Sequence, residues 1–448
     1  MTSEFRGSPW PEERPRVRPV AALTEDQDAD VVIVGGGISG LTTAYALMAA
    51  TDLRVTILEA GLIGMGASGN NGGQAVEGTE TRFADIASLA GRQRALQGFG
   101  ELATARGELK SILNAIGAPS MLTEVEGRLG IADQAIVEQW SEDLEARREA
   151  GMGTITSQVA DDAPPGLLPS VPRVPRAELA RQMWSKDQRY LASFGLRVGL
   201  INTYDLVETM AAHLLSSYPE RMTILERSPV DRIRLSEEEA TLGVNGRIVL
   251  ADSVVLCTNG YAVPRVEACS PPVIEGHLRG VVGYMVGTER GSGPEGARAY
   301  FSDEDSYYYI ARRRYRGGTL TAAGGPEGPV AGAYDPQIVQ HPGAYDRLEA
   351  FLSTTLEGYV GPSERRWHGL MGYTSTGVRV AGQDPRLPSL YYNLGCNGIG
   401  ILSAVAASKR LAGMMTDEDV EPSMFDPGVL LSSASQIRDS GPVRAYRP

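Results

Sequence analysis

Lysine is nearly missing from this sequence. Lys110, Lys186 and Lys409 are the only three in 448 residues, and arginine carries the positive charge instead. Lysine chemistry is therefore excluded from most of the chain. Basic charge as a whole is in deficit. The formal net charge of −13 argues against nucleic acid or an anionic membrane as partner, because both demand a basic surface. Cysteine is scarce and odd in number. Cys257, Cys269 and Cys396 form no CxxC and no Cys/His cluster, so no metal site is expected, and free thiols fit a cytoplasmic location. No apolar run approaches the ~20 residues of a membrane-spanning helix. The N-terminal stretch MTSEFRGSPWPEERPRVRP is polar and proline-rich, without the hydrophobic region of a signal peptide.

Glycine, in contrast, is plentiful: its 53 copies point to tight turns or close ligand contacts. The length suggests two domains, at ~100–200 residues each. Residues 1–27 read as an extended arm, since Pro9, Pro11, Pro15 and Pro19 deny it a helix. Asp30 to Val34 is a buried strand, Ile38 to about Ala50 a helix, and Arg54 to Glu59 a second strand. Strand, glycine turn, helix, strand is a βαβ unit and implies a parallel sheet. Helices are expected across Ala84 to Ile116, Glu138 to Ala150 and Asp205 to Leu215, with a proline-rich loop from Pro164 to Pro175. Strands follow at Thr223 to Glu226, Thr241 to Val244 and Ser253 to Thr258. From Gly280 to Ala323 three β-rich runs separated by turn glycines (GVVGYMVG, SYYYIARR, TLTAAGG) suggest antiparallel strands. Then come a helix at Asp346 to Leu356, a strand at Ser389 to Leu394, a helix from Ile401 to about Met414, and a polar tail from Asp417.

The fold class is thus α/β: a Rossmann-type nucleotide-binding domain and a second α+β domain on an antiparallel sheet, both discontinuous. The expected segments are 1–27 arm, 28–110 nucleotide domain, 111–195 substrate domain, 196–265 nucleotide domain, 266–365 substrate domain, 366–425 nucleotide domain and 426–448 tail.

Two motifs carry chemistry. Gly35, Gly37 and Gly40 fit GxGxxG directly after a strand and at the opening of a helix, with Ile38 and Ser39 between them. The glycines serve a tight turn, approach of backbone to a pyrophosphate, and close helix–sheet packing. The helix start faces the phosphates. Glu59 ends the next strand, placed to accept ribose hydroxyls, and an acid there disfavours a 2′-phosphate, excluding NADP. The second motif, Gly64 to Gln74 (GMGASGNNGGQ), offers consecutive N–H groups and small polar side chains to a flat ring or phosphates.

With these residues in place, DVVIVGGGISGL and VTILEAGLIGMGASGNNGGQ resemble the D-amino-acid oxidase superfamily of flavoproteins. Within the branch of glycine oxidase, monomeric sarcosine oxidase and γ-glutamylputrescine oxidase, the last is most similar in the GASGxNGGQ loop. DSVVLCTNGY (Asp252 to Tyr261), YYNLGCNGIG (Tyr391 to Gly400) and GLINTYDLVETM extend the resemblance from Asp30 to Met414. It implies FAD, held by the first motif with Glu59 and Ala60, by Ala67, Ser68, Asn71, Gly72, Gly73 and Gln74, by Val230, Thr258 and Asn259, and by Gly395, Asn397, Gly398, Ile399 and Gly400. The helix after Gly400 would point its positive end at the flavin N1–C2=O edge. Where sarcosine oxidases carry a lysine two residues after this glycine, Leu402 stands. Met371 occupies the place of their flavin-attaching cysteine, so FAD is expected to be non-covalent. Their oxygen-activating lysine has no counterpart in Gly318 to Ala323.

The resemblance also implies a substrate face lined by rings: Tyr307, Tyr308 and Tyr309 on one strand, with Trp367, His368 and Tyr373. An aromatic wall suits an amine cation. Arg279, Arg312 or Arg379 could instead hold a substrate carboxylate bidentately. Of the histidines, His213 reads as helix packing and His341 as loop, leaving His277 and His368 for a pocket. The expected reaction is hydride transfer from a carbon beside nitrogen to flavin N5, imine hydrolysis, and reoxidation by O2 to H2O2. The rivals are a dehydrogenase passing electrons to a quinone or protein, and a non-catalytic flavin-binding subunit.

Overall fold

The computed structural model describes residues 7–236, 239–261, 263–301, 307–330, 334–335, 338–339, 341–416 and 418–432. The first six residues of the expected arm, the start of the SYYYIARR run at Ser306 and residues 433–448 of the expected tail lie outside the described residues.

The elements in chain order are α1 (Trp10–Glu13), β1 (Gln27–Val34), α2 (Ile38–Ala50), β2 (Val55–Leu58), β3 (Gln74–Val76), α3 (Phe83–Ala90), α4 (Arg92–Ala115), β4 (Thr123–Ile131), α5 (Gln134–Glu149), β5 (Ser157–Ala160), β6 (Arg173–Val174), α6 (Arg176–Gln182), β7 (Ala192–Leu200), α7 (Thr203–Ser217), β8 (Met222–Leu225), β9 (Val230–Leu235), β10 (Ala240–Val244), β11 (Arg247–Leu256), β12 (Arg265–Glu267), β13 (Leu278–Thr288), β14 (Gly296–Phe301), β15 (Tyr308–Tyr315), β16 (Gly318–Pro329), α8 (Gly343–Thr355), β17 (Arg365–Thr374), β18 (Val380–Gln383), β19 (Leu390–Leu394) and α9 (Ile401–Met415).

The strands form two sheets. The first runs β12-β9-β10-β11-β1-β2-β8, with β19 on β11 and β18 on β19. Its centre is parallel: Val31 to Val34 pair with Val55 to Leu58 on one side and Ser253 to Leu256 on the other. These central strands are buried on both faces, so they read as continuous apolar runs. α2 and α9 pack together on one face, where Leu41, Ala44, Val405 and Leu411 join one core. The second sheet runs β17-β13-β16-β15-β14-β4-β7-β5-β6, with β3 on β7. It is antiparallel except where β4 meets β14 and β5 meets β6. α8 covers one face, packing Leu348, Phe351 and Leu352 into a second core.

Five expectations need correction. The arm is not wholly extended. Pro9 is the N-cap of α1 and Pro11 lies in its first turn, positions where a missing N–H costs nothing, and Trp10 is fully buried. The tail is not simply polar: Met424, Phe425, Val429 and Leu430 are buried, and Met424 and Phe425 join the α2/α9 core. β17 pairs along its whole length with β13 in the second sheet, although 366–425 reads as nucleotide domain. β7 runs through the expected boundary at 195/196, and β3 crosses from the first motif region into the second sheet.

Candidate functional site: a nucleotide cradle and a carboxyl pair

β1, β2, β11 and β19 are mutually parallel or share a neighbour, so their carboxyl ends meet at one edge. The segments that follow, 35–40, 59–74, 257–261 and 395–400, converge there. Such an edge is where open α/β sheets bind ligands. Gly35 has φ +111, and a Cβ on it would lie 2.7 Å from the Cys257 carbonyl oxygen. A Cβ on Gly40 would overlap the Gly35 carbonyl oxygen, so helix and strand pack as closely as only glycine allows. A Cβ on Gly37 would meet nothing but Ser68 Oγ, at 3.1 Å, so Gly37 faces open space. Ser68 Oγ accepts the Ile38 N–H at 2.9 Å and so occupies one of the helix-start donors.

Glu59 accepts the Gly36 and Gly61 N–H groups, both at 2.7 Å, and Ala60 beside it is exposed. Burial pushes the Glu59 carboxyl up, against those two hydrogen bonds. Ala67 and Ser68 lie on a 3-10 turn, and Asn71 Oδ1 accepts the Gly73 N–H at 2.8 Å. A Cβ on Gly72 would lie 2.8 Å from the Tyr309 ring. Asn259 Oδ1 accepts the Cys396 N–H at 2.9 Å, tying the third segment to the fourth. Asn397 Oδ1 accepts the Thr374 N–H at 2.9 Å, which spends that side chain on shaping the loop of Gly395, Gly398, Ile399 and Gly400. Val230 starts β9 and packs against the core of the first sheet. Two polar atoms among these residues, Thr258 Oγ1 and Gln74 Nε2, are buried without a partner. Orphaned donors and acceptors on a glycine-lined edge fit a dinucleotide such as FAD, which would supply their partners.

The second sheet presents one face of β17 to this edge. Side chains alternate along a strand. Leu370 points with Tyr284, Val282 and α8 into the second core, and His368 on the same face lies tilted beside Tyr284, 5.7 Å between ring centroids, and bonds Tyr334 Oη through Nδ1 at 3.1 Å. Burial lowers the His368 pKa. Tyr308 shares this side, stacked on Phe351 at 4.1 Å. On the other face, a Cβ on Gly369 would lie 3.1 Å from Asn70, and Tyr373 points at two carboxyls. Tyr307 and Tyr309 pack together on this side, 5.6 Å between centroids. Trp367 joins Trp10, Tyr315 and Met285 in a separate cluster.

The carboxyls are Glu80 and Glu327. Tyr373 Oη lies 3.1 and 3.2 Å from the two Glu327 oxygens and 3.4 Å from Glu80 Oε2. Both acids keep part of their surface free although protein encloses them, as groups lining a recess do. Burial, then the charge of Glu327, holds Glu80 well above the usual carboxylate range. Burial also raises Glu327, opposed by Tyr373 and Arg279. Glu327 reaches this face because β16 carries an irregularity. Gly283 pairs with Glu327 but Met285 with Gly324, so one extra residue on β16 flips the alternation. Neither acid was picked out from sequence. Glu80 lies in a loop without periodicity, and Glu327 lies past the point where the GG of TLTAAGG reads as a turn.

The candidate arginines separate. Arg312 is buried against Trp184 and donates to the Glu357 carbonyl at 2.7 Å, and Arg379 is enclosed in the first sheet's core, so neither is free to clamp a substrate. Arg279 alone is exposed near the recess, 5.9 Å above the Tyr373 ring. His277 bonds Ser375 Oγ at 2.8 Å through Nδ1, His213 packs beside Tyr45, and His341 bonds the Pro329 carbonyl.

Fold and site together define a flavin-dependent oxidoreductase with a Rossmann-type domain. The chain belongs to the DAO family of FAD dependent oxidoreductases, whose family model matches residues 30–414. It is similar to the probable oxidoreductase OrdL of Haemophilus influenzae, 38% identical over 73 residues, which are 16% of this chain and 17% of that one. It is also similar to the gamma-glutamylputrescine oxidoreductase of Escherichia coli K12, 50% identical over 58 residues, 13% of each. These matches thus span less than a fifth of either relative. Among solved structures, glycine oxidase from Geobacillus kaustophilus superimposes with a TM-score of 0.66 at 18% identity, covering 89% of this chain and 98% of that one. L-proline dehydrogenase from P. horikoshii gives 0.62 at 16% identity, covering 90% and 98%. Among the described residues, no helix is long and apolar enough to cross a membrane.

Proposed function

We propose that this enzyme oxidises the C–N bond of a cationic amine. The observation that carries the reading is the recess where Glu80, Glu327 and Tyr373 meet beside Tyr307 and Tyr309. Two enclosed carboxyls and three phenol rings favour an ammonium group through charge and cation–π attraction, the latter contributing ~0.5–2 kcal/mol per ring. FAD, bound non-covalently, supplies the acceptor for the hydride of the carbon beside nitrogen. The protein's part is to hold that carbon in place, and the carboxyl pair can take the ammonium proton so that the amine reacts neutral. One relative, the gamma-glutamylputrescine oxidoreductase, is named for a putrescine derivative, which is in keeping with this class.

A panel of amines and amino acids scored by anaerobic flavin bleaching tests the reading. Amines should bleach the flavin faster than zwitterionic amino acids. Two variants sharpen it. If Arg279→Met abolishes turnover while Tyr373→Leu leaves KM unchanged, the substrate is an amino acid and the amine reading fails.

One observation favours a second reading for the oxidative half-reaction. β16 carries no lysine, and none occurs between Lys186 and Lys409. A dehydrogenase that hands electrons to a quinone or protein would need none. Stoichiometric H2O2 in air marks an oxidase, and dye reduction without peroxide marks a dehydrogenase.

A further inference from the structure

Arg379 is 4% exposed and sits just before β18 in the core of the first sheet. Its Nε donates to Ser403 Oγ at 3.0 Å, its Nη1 to Ser39 Oγ at 3.0 Å and Asn393 Oδ1 at 2.7 Å, and its Nη2 to the Gly400 carbonyl at 3.0 Å. All four partners are neutral. Other buried arginines are compensated: Arg365 pairs with Glu12 and Glu289, Arg410 with Glu101 and Asp426, Arg298 with Glu126, and Arg312 stacks on Trp184. Among the described residues, no ion pair and no ring answers Arg379. A buried charge without a counter-charge is costly to keep, and burial here opposes its protonated form.

Its position makes the cost larger. Ser39 lies in the first turn of α2, Ser403 lies in the first turn of α9, and Gly400 is the N-cap of α9. Two helix starts and one guanidinium therefore converge, and each helix start contributes positive potential. Neither N-cap residue, Gly37 nor Gly400, has a side chain to soften it, and at the start of α2 Ser68 Oγ answers only the Ile38 N–H. Three positive sources gathered in one core are self-repelling unless an anion arrives, and helix starts are where anions bind.

We propose that Arg379 is a built-in counter-charge for bound FAD, answered by the cofactor's negative groups across the starts of α2 and α9. The shared chemistry is anionic, and it has two sources in FAD: the pyrophosphate, always charged, and the ring, charged only when reduced. Arg379 is on this view a positioning residue, acting through charge and through the side chains it holds.

The test compares Arg379→Gln and Arg379→Lys with the wild-type holoenzyme and its FAD-stripped form. FAD dissociation constants are read by flavin fluorescence, and midpoint potentials by dye-coupled reduction without substrate. Arg379→Gln should weaken FAD binding at least tenfold or lower the potential, while Arg379→Lys, which keeps charge but not the hydrogen-bond set, recovers most of either loss. Weaker affinity at unchanged potential assigns the pyrophosphate, and a lower potential at unchanged affinity assigns the reduced ring. Wild-type affinity and potential in Arg379→Gln overturn the proposal. So does equal damage in the Gln and Lys variants, because hydrogen bonding rather than charge would then explain it. Should the Gln variant not fold, a tenfold loss of affinity in Arg379→Lys alone overturns it. None of these readings depends on the substrate.

Discussion

Glu80 and Glu327 face Tyr373, Tyr307 and Tyr309, with the Arg279 charge acting on Glu327, and this set governs how the recess responds to pH. Below the raised carboxyl values both acids are neutral and offer an ammonium little. As pH rises through Glu327, pushed up to about 7, the pair acquires negative charge. An alkylammonium, near 10 like a lysine, stays cationic throughout. KM for an amine substrate should therefore fall as pH rises from about 6 to 8. Glu327→Gln should raise KM by roughly ten- to a hundredfold, the ~1.5–3 kcal/mol of a hydrogen bond to a charged group, and flatten that profile. Stability should move the other way. A carboxyl with a raised folded-state pKa binds its proton more tightly folded than unfolded, so its contribution to stability is lost as pH rises. The FAD-stripped Glu327→Gln variant should then melt higher than wild type at pH 8. An unchanged KM with an unchanged pH profile would remove the pair from the substrate site. The glycine cradle was legible because turn, helix start and acid are encoded within 25 residues. The carboxyl pair was not, because a bulge in β16 decides which face Glu327 takes.

At the scale of elements, the N-terminal arm behaves as a strap. Trp10 Nε1 donates to the Asn71 carbonyl at 2.7 Å, and Ser8 Oγ to the Gly69 carbonyl at 2.5 Å, so the arm holds the glycine-rich loop from behind. Tyr315 Oη bonds the Pro9 carbonyl, Glu12 pairs with Arg365 and Glu13 with Arg313, which fastens it to the second sheet. Arg16 and Arg18 pair with the buried Glu226, whose Oε1 accepts the Ile63 N–H at 2.7 Å. Proline content alone hid this, because one helical turn tolerates prolines at its start and the partner of the Trp10 indole, the Asn71 carbonyl, is distant in sequence. Trp10→Ala should cost ~3–5 kcal/mol of stability as a fully buried indole is lost. Because the indole braces Asn71 and Gly73, the variant should also emerge from gel filtration with substoichiometric FAD. A one-to-one flavin content and an unchanged melting temperature would reduce the arm to decoration. The long helices, by contrast, were legible: α4 and α7 repeat their buried apolar positions every three to four residues, and α2 and α9 each open directly after a glycine motif, although the break at Gly91 between α3 and α4 was not read. β4, β7, β14 and β17 escaped because glycines and charged residues interrupt the alternation that marks a strand.

For the whole molecule, the nucleotide edge is also the joint. The chain leaves the first sheet after β2, forms the loop of Gly64 to Gly73, and enters the second sheet at once as β3. Gly369 of β17 and Tyr309 of β15 rest against that loop, so both sheets share its shape. A ligand held there binds the folded arrangement and not the unfolded chain, and it stabilises by RT ln(1 + [L]/Kd), ~2.7 kcal/mol at a hundredfold excess over Kd. Two cores and a bound cofactor make a single two-state transition a poor expectation. Holoenzyme should melt higher, and the FAD-stripped form should spread into a broader transition in which the joint yields first. This requires that FAD come off, and Met371 bears on it. Its thioether lies against Gly283 on the sheet face turned to the loop, at the position where the resemblance to sarcosine oxidases puts the attaching cysteine, and a thioether has no S–H to exchange for a flavin bond. Acid precipitation should therefore leave a colourless pellet and a yellow supernatant containing intact FAD, with a one-to-one ratio to protein. Colour retained by the denatured polypeptide would show a covalent link made elsewhere, and would remove the free exchange on which the linkage argument depends.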